Sequence, residues 1–357
     1  MDASPEAPAH TLEDIANYFR LQAQYCRHLG SPFYGKLVDK IADDVERDGV
    51  CARILEGYPH EPAASAMALR FMGAFHRRVL AGQAPELARH YPSAGGDGDA
   101  AAAWPAMQQH ATEHVEELRR IVATIGVQTN EVARSAALIC GFLTVARETG
   151  LPLRCLEVGA SGGLNLRWDR FRYDAGAAAW GDPQSPVVLR DCWIETTPPF
   201  EIAATVAERA GCDPHPVDPT SEQGRLTLLS FAWPDQRERF ALVDAAIELA
   251  RRVPVNVERA NGADWITRQL ATATPGVATV VYHSIVIQYL DDDSRARFLA
   301  QIAAAGERAT KDAPLAWLRM EPGGEQTEVM LTTWPGGGRR RVATAGYHGR
   351  GVRYEAS

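Results

Sequence analysis

The stretch LEVGASGGLN, Leu156 to Asn165, puts a carboxylate, Glu157, at the end of an apolar run and two residues before a glycine-rich turn. Turns of this kind after a strand commonly hold phosphate on the backbone N–H groups of a helix start. A nicotinamide site would carry an apolar residue where Glu157 stands and a glycine where Ser161 stands. A glutamate buried without a cationic partner is costly. The turn therefore points to a ligand with a positive charge or several N–H donors, such as an amino-acid ammonium. Gly159 and Gly162 would let the backbone approach that ligand closely, with Ala160, Ser161 and Asn165 around it. The alternative is a tight turn beside a solvated glutamate.

Two further acids stand where a nucleoside would need them. Asp218 in HPVDPTS is expected at the end of a second strand, where a carboxylate can accept both ribose hydroxyl protons. Asp264 in ERANGADWI follows a third strand; its carboxylate could accept from an exocyclic amine while the neighbouring Trp265 packs on a purine face. Read singly, each is equally an acid of a surface loop. His283, in VVYHSIV, and Glu321, closing WLRME, end later strands and are the expected bases for an incoming nucleophile. Asn130, Glu131 and Arg134 in QTNEVARS fall within about one helical turn, either as a helix start with an ion pair or as a lid over the substrate. HATEH, His110 to His114, matches a zinc pattern by its letters, but no third ligand is evident and no metal is expected. No C-x-x-C pair occurs among the six cysteines, and no P-loop or G-x-S-x-G elbow appears.

The elements that must position these residues fall into two halves. Residues 11–149 read as helical. One helix is capped by Thr11 and stopped at Gly30, a second stops at Gly49, a third closes at Gly82, and two more follow a small polar loop, around 103–125 and 129–149. From 150 to 357 short apolar runs alternate with helices, as in a mostly parallel sheet with crossover helices. The expected strands are 154–158, a run near 216–218, 255–258, 279–283 and 315–321. Two late runs, 328–333 and 341–347, flank WPGGG as an antiparallel hairpin. The aromatic, turn-rich insertion at 167–200 is expected to form a small β element. Ligands of open α/β sheets bind at the C-terminal ends of the strands, the edge where the acids are expected.

The chain has 357 residues, 46% hydrophobic and 23% charged, with a formal net charge of -8. That acidic balance argues against nucleic acid as a partner, and no apolar stretch is long enough to span a bilayer. The first residues hold neither a basic nor an apolar stretch, so no secretory signal is expected. The cytoplasm, with reduced thiols, is the expected location.

Glu157 with its glycine turn, Asp218 and Asp264 together resemble the S-adenosyl-L-methionine pocket of class I methyltransferases. The resemblance covers roughly residues 150–350. It implies a Rossmann-like α/β domain with an antiparallel C-terminal hairpin, following the helical N-terminal domain of residues 1–149. It also implies that the first acid serves the methionine end of the cofactor, the second the ribose and the third the adenine. At finer grain, VQTNEVARSAAL, LEVGASGGLNLRWDRF, FAWPDQ and VVYHSIVIQYL resemble a bacterial family catalogued only as a domain of unknown function. The expectation is methyl transfer from S-adenosyl-L-methionine to a small molecule, with no nucleic-acid or membrane partner and the oligomeric state open. The rivals are a protein that binds the same nucleoside without catalysis and, less favoured, a zinc hydrolase built on HATEH.

Overall fold

The computed structural model describes residues 10–355. The described chain forms two compact units, one of residues 10–128 with 229–240, the other of residues 129–228 with 241–355.

The first unit is helical: α1 (Leu12–His28), α2 (Pro32–Glu46), α3 (Val50–Leu55), α4 (Met67–Leu80), α5 (Pro85–Ala88), α6 (Ala100–Glu113) and α7 (Val115–Thr124). Thr11 starts α1 through a reciprocal cap with Asp14, and Gly30 follows its end at φ +83. Gly49 is not the stop expected for α2. Asp48 takes the left-handed conformation there, at φ +54, and Gly49 opens α3. The amphipathic faces close on a core that includes Phe19, Leu37, Ile41, Phe71, Phe75, Met107 and Leu118.

The second unit starts earlier than the sequence suggests. Its first helix, α8 (Ser135–Thr149), was expected in the helical half, but it is buried along most of its length and packs on the sheet. Its run of Leu138, Ile139, Phe142, Leu143 and Val145 cannot be left in water. The strands are β1 (Leu153–Val158), β2 (Arg172–Asp174), β3 (Ala179–Trp180), β4 (Val188–Arg190), β5 (Val206–Asp213), β6 (Asn256–Arg259), β7 (Ala278–Ser284), β8 (Leu315–Pro322), β9 (Thr327–Trp334), β10 (Gly338–Ala345) and β11 (Arg353–Tyr354). The helices are α9 (Glu222–Ser230), α10 (Arg237–Arg252), α11 (Gly262–Gln269) and α12 (Asp292–Glu307).

The main sheet has the order β11-β10-β9-β8-β7-β1-β5-β6. Strands β6, β5, β1, β7 and β8 run parallel, and β9, β10 and β11 continue antiparallel. The hairpin of β9 and β10 is thus present, as is the β element of the insertion, where β3, β2 and β4 form a separate sheet. The second strand differs from expectation. It is β5 at Val206–Asp213, and residues 216–218 are not a strand. Its polar residues hide it from an apolar-run reading: Glu208 pairs with Arg154, and Arg209 with Asp169 of the turn after β1.

All six cysteines are free and buried. Among the described residues, no helix is long and apolar enough to cross a membrane.

Candidate functional site

Strand β1 is central, and the chain builds outward from it in two directions, to β5 and β6 on one side and to β7 and β8 on the other. Ligands of such sheets bind outside the strand ends where the order reverses. Here that edge is the turn after β1 with the ends of β5 and β7.

The turn is tightly wound. Gly159, Ser161 and Gly163 all have positive φ, at +73, +54 and +64. Ser161 thus takes the conformation that a glycine would favour. Its backbone N–H donates to Asp213 Oδ2 at 2.9 Å, and the N–H groups of Gly159 and Ala160 donate to the Cys212 carbonyl. The Leu164 N–H donates to Asn130 Oδ1 at 3.0 Å. These donors are spent within the protein, which leaves them none to offer a phosphate. Close approach at the two glycines is also by protein atoms. A Cβ on Gly159 would come within 2.5 Å of Val286 Cγ2, and one on Gly162 within 2.9 Å of Leu228 Cδ1. The expectation that these glycines admit the ligand is corrected to that extent.

Glu157 stands at the end of β1 with only 3% of its surface exposed. The Tyr282 hydroxyl, from the neighbouring position on β7, donates to its Oε2 at 3.3 Å and lies 3.4 Å from the Asn165 carbonyl. Burial pushes the carboxyl up to about 8. The Tyr282 hydrogen bond opposes that rise, Asp213 adds to it, and Arg167 and Arg134 draw it down. The Glu157 carboxyl is therefore largely protonated at neutral pH, and a cation placed beside it would convert it to the carboxylate.

Asp213 ends β5 and is the acid that the sequence reading missed. It holds the turn through the Ser161 N–H and its own loop through the His215 N–H, which donates to Oδ1 at 2.8 Å. The signal was available as GCD followed by proline, an acid closing a polar strand.

Asn130, Glu131 and Arg134 sit against this turn as fixed parts of it, not as a lid. Val132–Arg134 is one 3₁₀ turn, with Asn130 and Glu131 buried. Asn165 Nδ2 donates to the Glu131 carbonyl at 3.1 Å, and the Ser135 hydroxyl donates to Asn165 Oδ1 at 2.9 Å. Arg134 donates to the carbonyls of Ser284 and Tyr347, each at 3.1 Å. This network ties the segment before α8 to the ends of β1 and β7.

The profile of the family described as uncharacterized protein conserved in bacteria, DUF2332, matches residues 16–354. The chain belongs to that family. No curated protein and no solved structure matches it.

Three expected site residues stand elsewhere. Asp218 lies in a loop, where the Thr220 hydroxyl and backbone N–H hold its carboxyl below the usual range. Asp264 opens α11 on the surface and pairs with Arg297 at 2.6 Å. Trp265 is 1% exposed in an apolar cluster with Leu156, Phe298 and Ile302, so its faces are already covered. The residue at the end of β6 is Asn261, whose amide oxygen caps α11 through the Ala263 N–H. Asp264→Ala should consequently leave affinity for any ligand of this edge unchanged; a weakening of more than about 1 kcal/mol in a calorimetric titration, the most that an exposed ion pair is usually worth, would contradict this placement.

His283 is also not a base facing substrate. It is fully buried, and both ring nitrogens are engaged. The Trp317 indole N–H donates to Nε2 at 3.0 Å, which leaves Nδ1 as the protonated nitrogen; it donates to Glu321 Oε1 at 2.6 Å. That oxygen also accepts the Val286 N–H at 3.0 Å. Burial would raise the Glu321 carboxyl, but hydrogen bonds from His283 and from the backbone at Val286 and Ile287 outweigh it and hold it below the usual range. Glu321 is thus an anchor as well, and His283 has no free ring nitrogen to offer.

HATEH is broken at His114, between α6 and α7. Arg78 donates to His110 Nε2 at 2.9 Å and pairs with Glu117. Burial pushes the His110 imidazole down to about 4, with Arg78 and His114 adding to it. A guanidinium holds the lone pair that a metal would need. Among the described residues, no group of three or more histidine, cysteine or acidic side chains could hold a metal ion.

Proposed function

We propose that the edge formed by the ends of β1, β5 and β7 binds S-adenosyl-L-methionine, and that the protein transfers its methyl group to a small-molecule acceptor. The observation that carries this reading is the pair of carboxyls at the ends of two adjacent central strands, Glu157 and Asp213, with a left-handed turn between them. Asp213 takes the place in the argument that Asp218 held. Glu157 would face the ligand's ammonium, Asp213 the ribose hydroxyls, and Asn261 the adenine edge. Carboxyls in this number suit a cationic nucleoside and repel a pyrophosphate.

When bound, the sulfonium supplies an activated methyl group, and the protein's part is to hold donor and acceptor in line, an effect worth up to ~7–11 kcal/mol. With His283 and Glu321 engaged, the acceptor is one that attacks without proton removal by either, such as a neutral amine or a thiolate. The same engagement favours the second reading, a protein that binds the nucleoside without turnover. Formation of S-adenosylhomocysteine with a panel of small amines and thiols separates the two.

Asp213→Ala should weaken S-adenosylhomocysteine by roughly 1–3 kcal/mol, the usual cost of a lost hydrogen bond to a charged group. It should also loosen the turn, because the Ser161 and His215 N–H groups lose their acceptor. Unchanged affinity in calorimetry would remove Asp213 from the site.

A further inference from the structure

Of the apolar side chains that lie against the turn, Val286 is the one over Gly159. After β7 the chain bends at Ile285, whose φ is +57. A β-branched residue is rarely found in that region, and such strain persists only where surrounding contacts over-determine it. The contacts here are specific. Arg134 holds the Ser284 carbonyl, the Ile285 N–H donates to the Met320 carbonyl at 2.8 Å, and the Val286 N–H donates to Glu321 Oε1. Glu321 is in turn fixed by His283, and His283 by Trp317. The result of this chain of bonds is the position of the Val286 isopropyl group, which lies against Gly159 at the end of β1. The loop continues as a 3₁₀ turn, Ile287–Tyr289, in which Gln288 and Tyr289 are exposed.

We propose that Val286 is the specificity-determining residue of this edge, and that His283 and Glu321 are positioning residues that seat it over Gly159. This rests on the reading given under Proposed function. Val286 lies against Gly159, two residues after Glu157, and the amino-acid end of the nucleoside would lie beside Glu157. Val286 therefore limits ligands that carry that end and leaves tail-less nucleosides unaffected. The hydrogen-bonded pair then has a purpose in the site without touching the ligand, which accounts for a histidine and a carboxylate at neighbouring strand ends.

The test uses the full chain and two probes, S-adenosylhomocysteine and 5′-methylthioadenosine, which differ in the amino-acid tail. Val286→Ala should tighten S-adenosylhomocysteine by about tenfold, at the low end of what one or two methyl groups set in a packed site, and leave methylthioadenosine unchanged. Equal effects on the two probes, or none, would overturn the role of Val286 while leaving the binding reading intact. If neither the wild-type protein nor Val286→Ala binds either probe, both fall. The positioning role has a readout that needs no ligand. In Glu321→Gln, amide hydrogen exchange at Ile285–Ile287 should rise by about tenfold, the gap between a charge-assisted and a neutral hydrogen bond. Exchange within β7 and β8 should stay as in the wild type. A rise spread evenly over both strands, or no rise, would show that the pair only supports the fold.

Discussion

Glu157→Gln is expected to make the protein more stable above neutral pH while abolishing its binding of S-adenosylhomocysteine. The folded carboxyl titrates near 8, above its ordinary 4.5. Its stabilising contribution is therefore fully present below the unfolded value, and it is lost as pH rises through the folded one. Glutamine is uncharged at every pH and keeps the shape. The stability of the variant relative to wild type should then grow by about 1.4 kcal/mol per pH unit between the two values and level off above 8. Denaturant titrations at a series of pH values measure that slope directly. Binding should move the other way. An ammonium selects the ionised carboxylate, so wild-type affinity should rise by about tenfold per pH unit as the solution approaches pH 8 from below, with a proton released on binding. A residue that only supported the fold would not gain stability when replaced and lose its ligand at the same time. A pH-independent affinity, or a variant that binds as well as wild type, would remove Glu157 from the site.

The second large effect belongs to His283, in stability. Alanine there removes the partner of a half-buried carboxylate, leaves the Trp317 indole N–H without an acceptor, and opens a cavity against Phe298. The lost hydrogen bonds and the cavity together cost about 3–5 kcal/mol, a large part of the stability of most domains. The melting temperature should fall by many degrees, and any turnover that remains should follow the folded fraction. His283→Gln, which can still donate to Glu321, should recover part of the loss. A normally stable His283→Ala protein that has lost turnover would instead return the histidine to the chemistry.

The two histidine readings differ because of contacts that the local sequence does not carry. TVVYH announces a strand ending in a histidine, but both of its partners, Trp317 and Glu321, lie on β8. Strand β1 and its turn were legible because residue type and spacing are both unusual there: an acid, then glycines at close intervals. The acid of the next strand was not, because β5 carries the adjacent charges Glu208 and Arg209, whose ion-pair partners, Arg154 and Asp169, stand on other elements. Apolar runs find strands whose faces are covered by hydrophobic neighbours, and β7 was found for that reason. They pass over strands covered by salt bridges. Trp265 shows the converse error. An aromatic beside an acid suggested a base-stacking platform, whereas the helix period turns it inward to the core with Ile266. The helical segment before β1 was assigned to the wrong unit because nothing in an apolar helix says which neighbour will cover it.

The proposed site consists of Glu157 and Asp213 on adjacent strands, a turn whose own donors are spent, and Val286 against Gly159. Calorimetric titration of the full chain with S-adenosylhomocysteine at pH 8, repeated in buffers of different ionisation enthalpy at pH 7, tests that description most directly. The account predicts saturable one-site binding, with close to one proton released at pH 7 and less at pH 8, and no such release in Glu157→Gln. Absence of saturable binding, or binding without proton release in the wild-type protein, would contradict it.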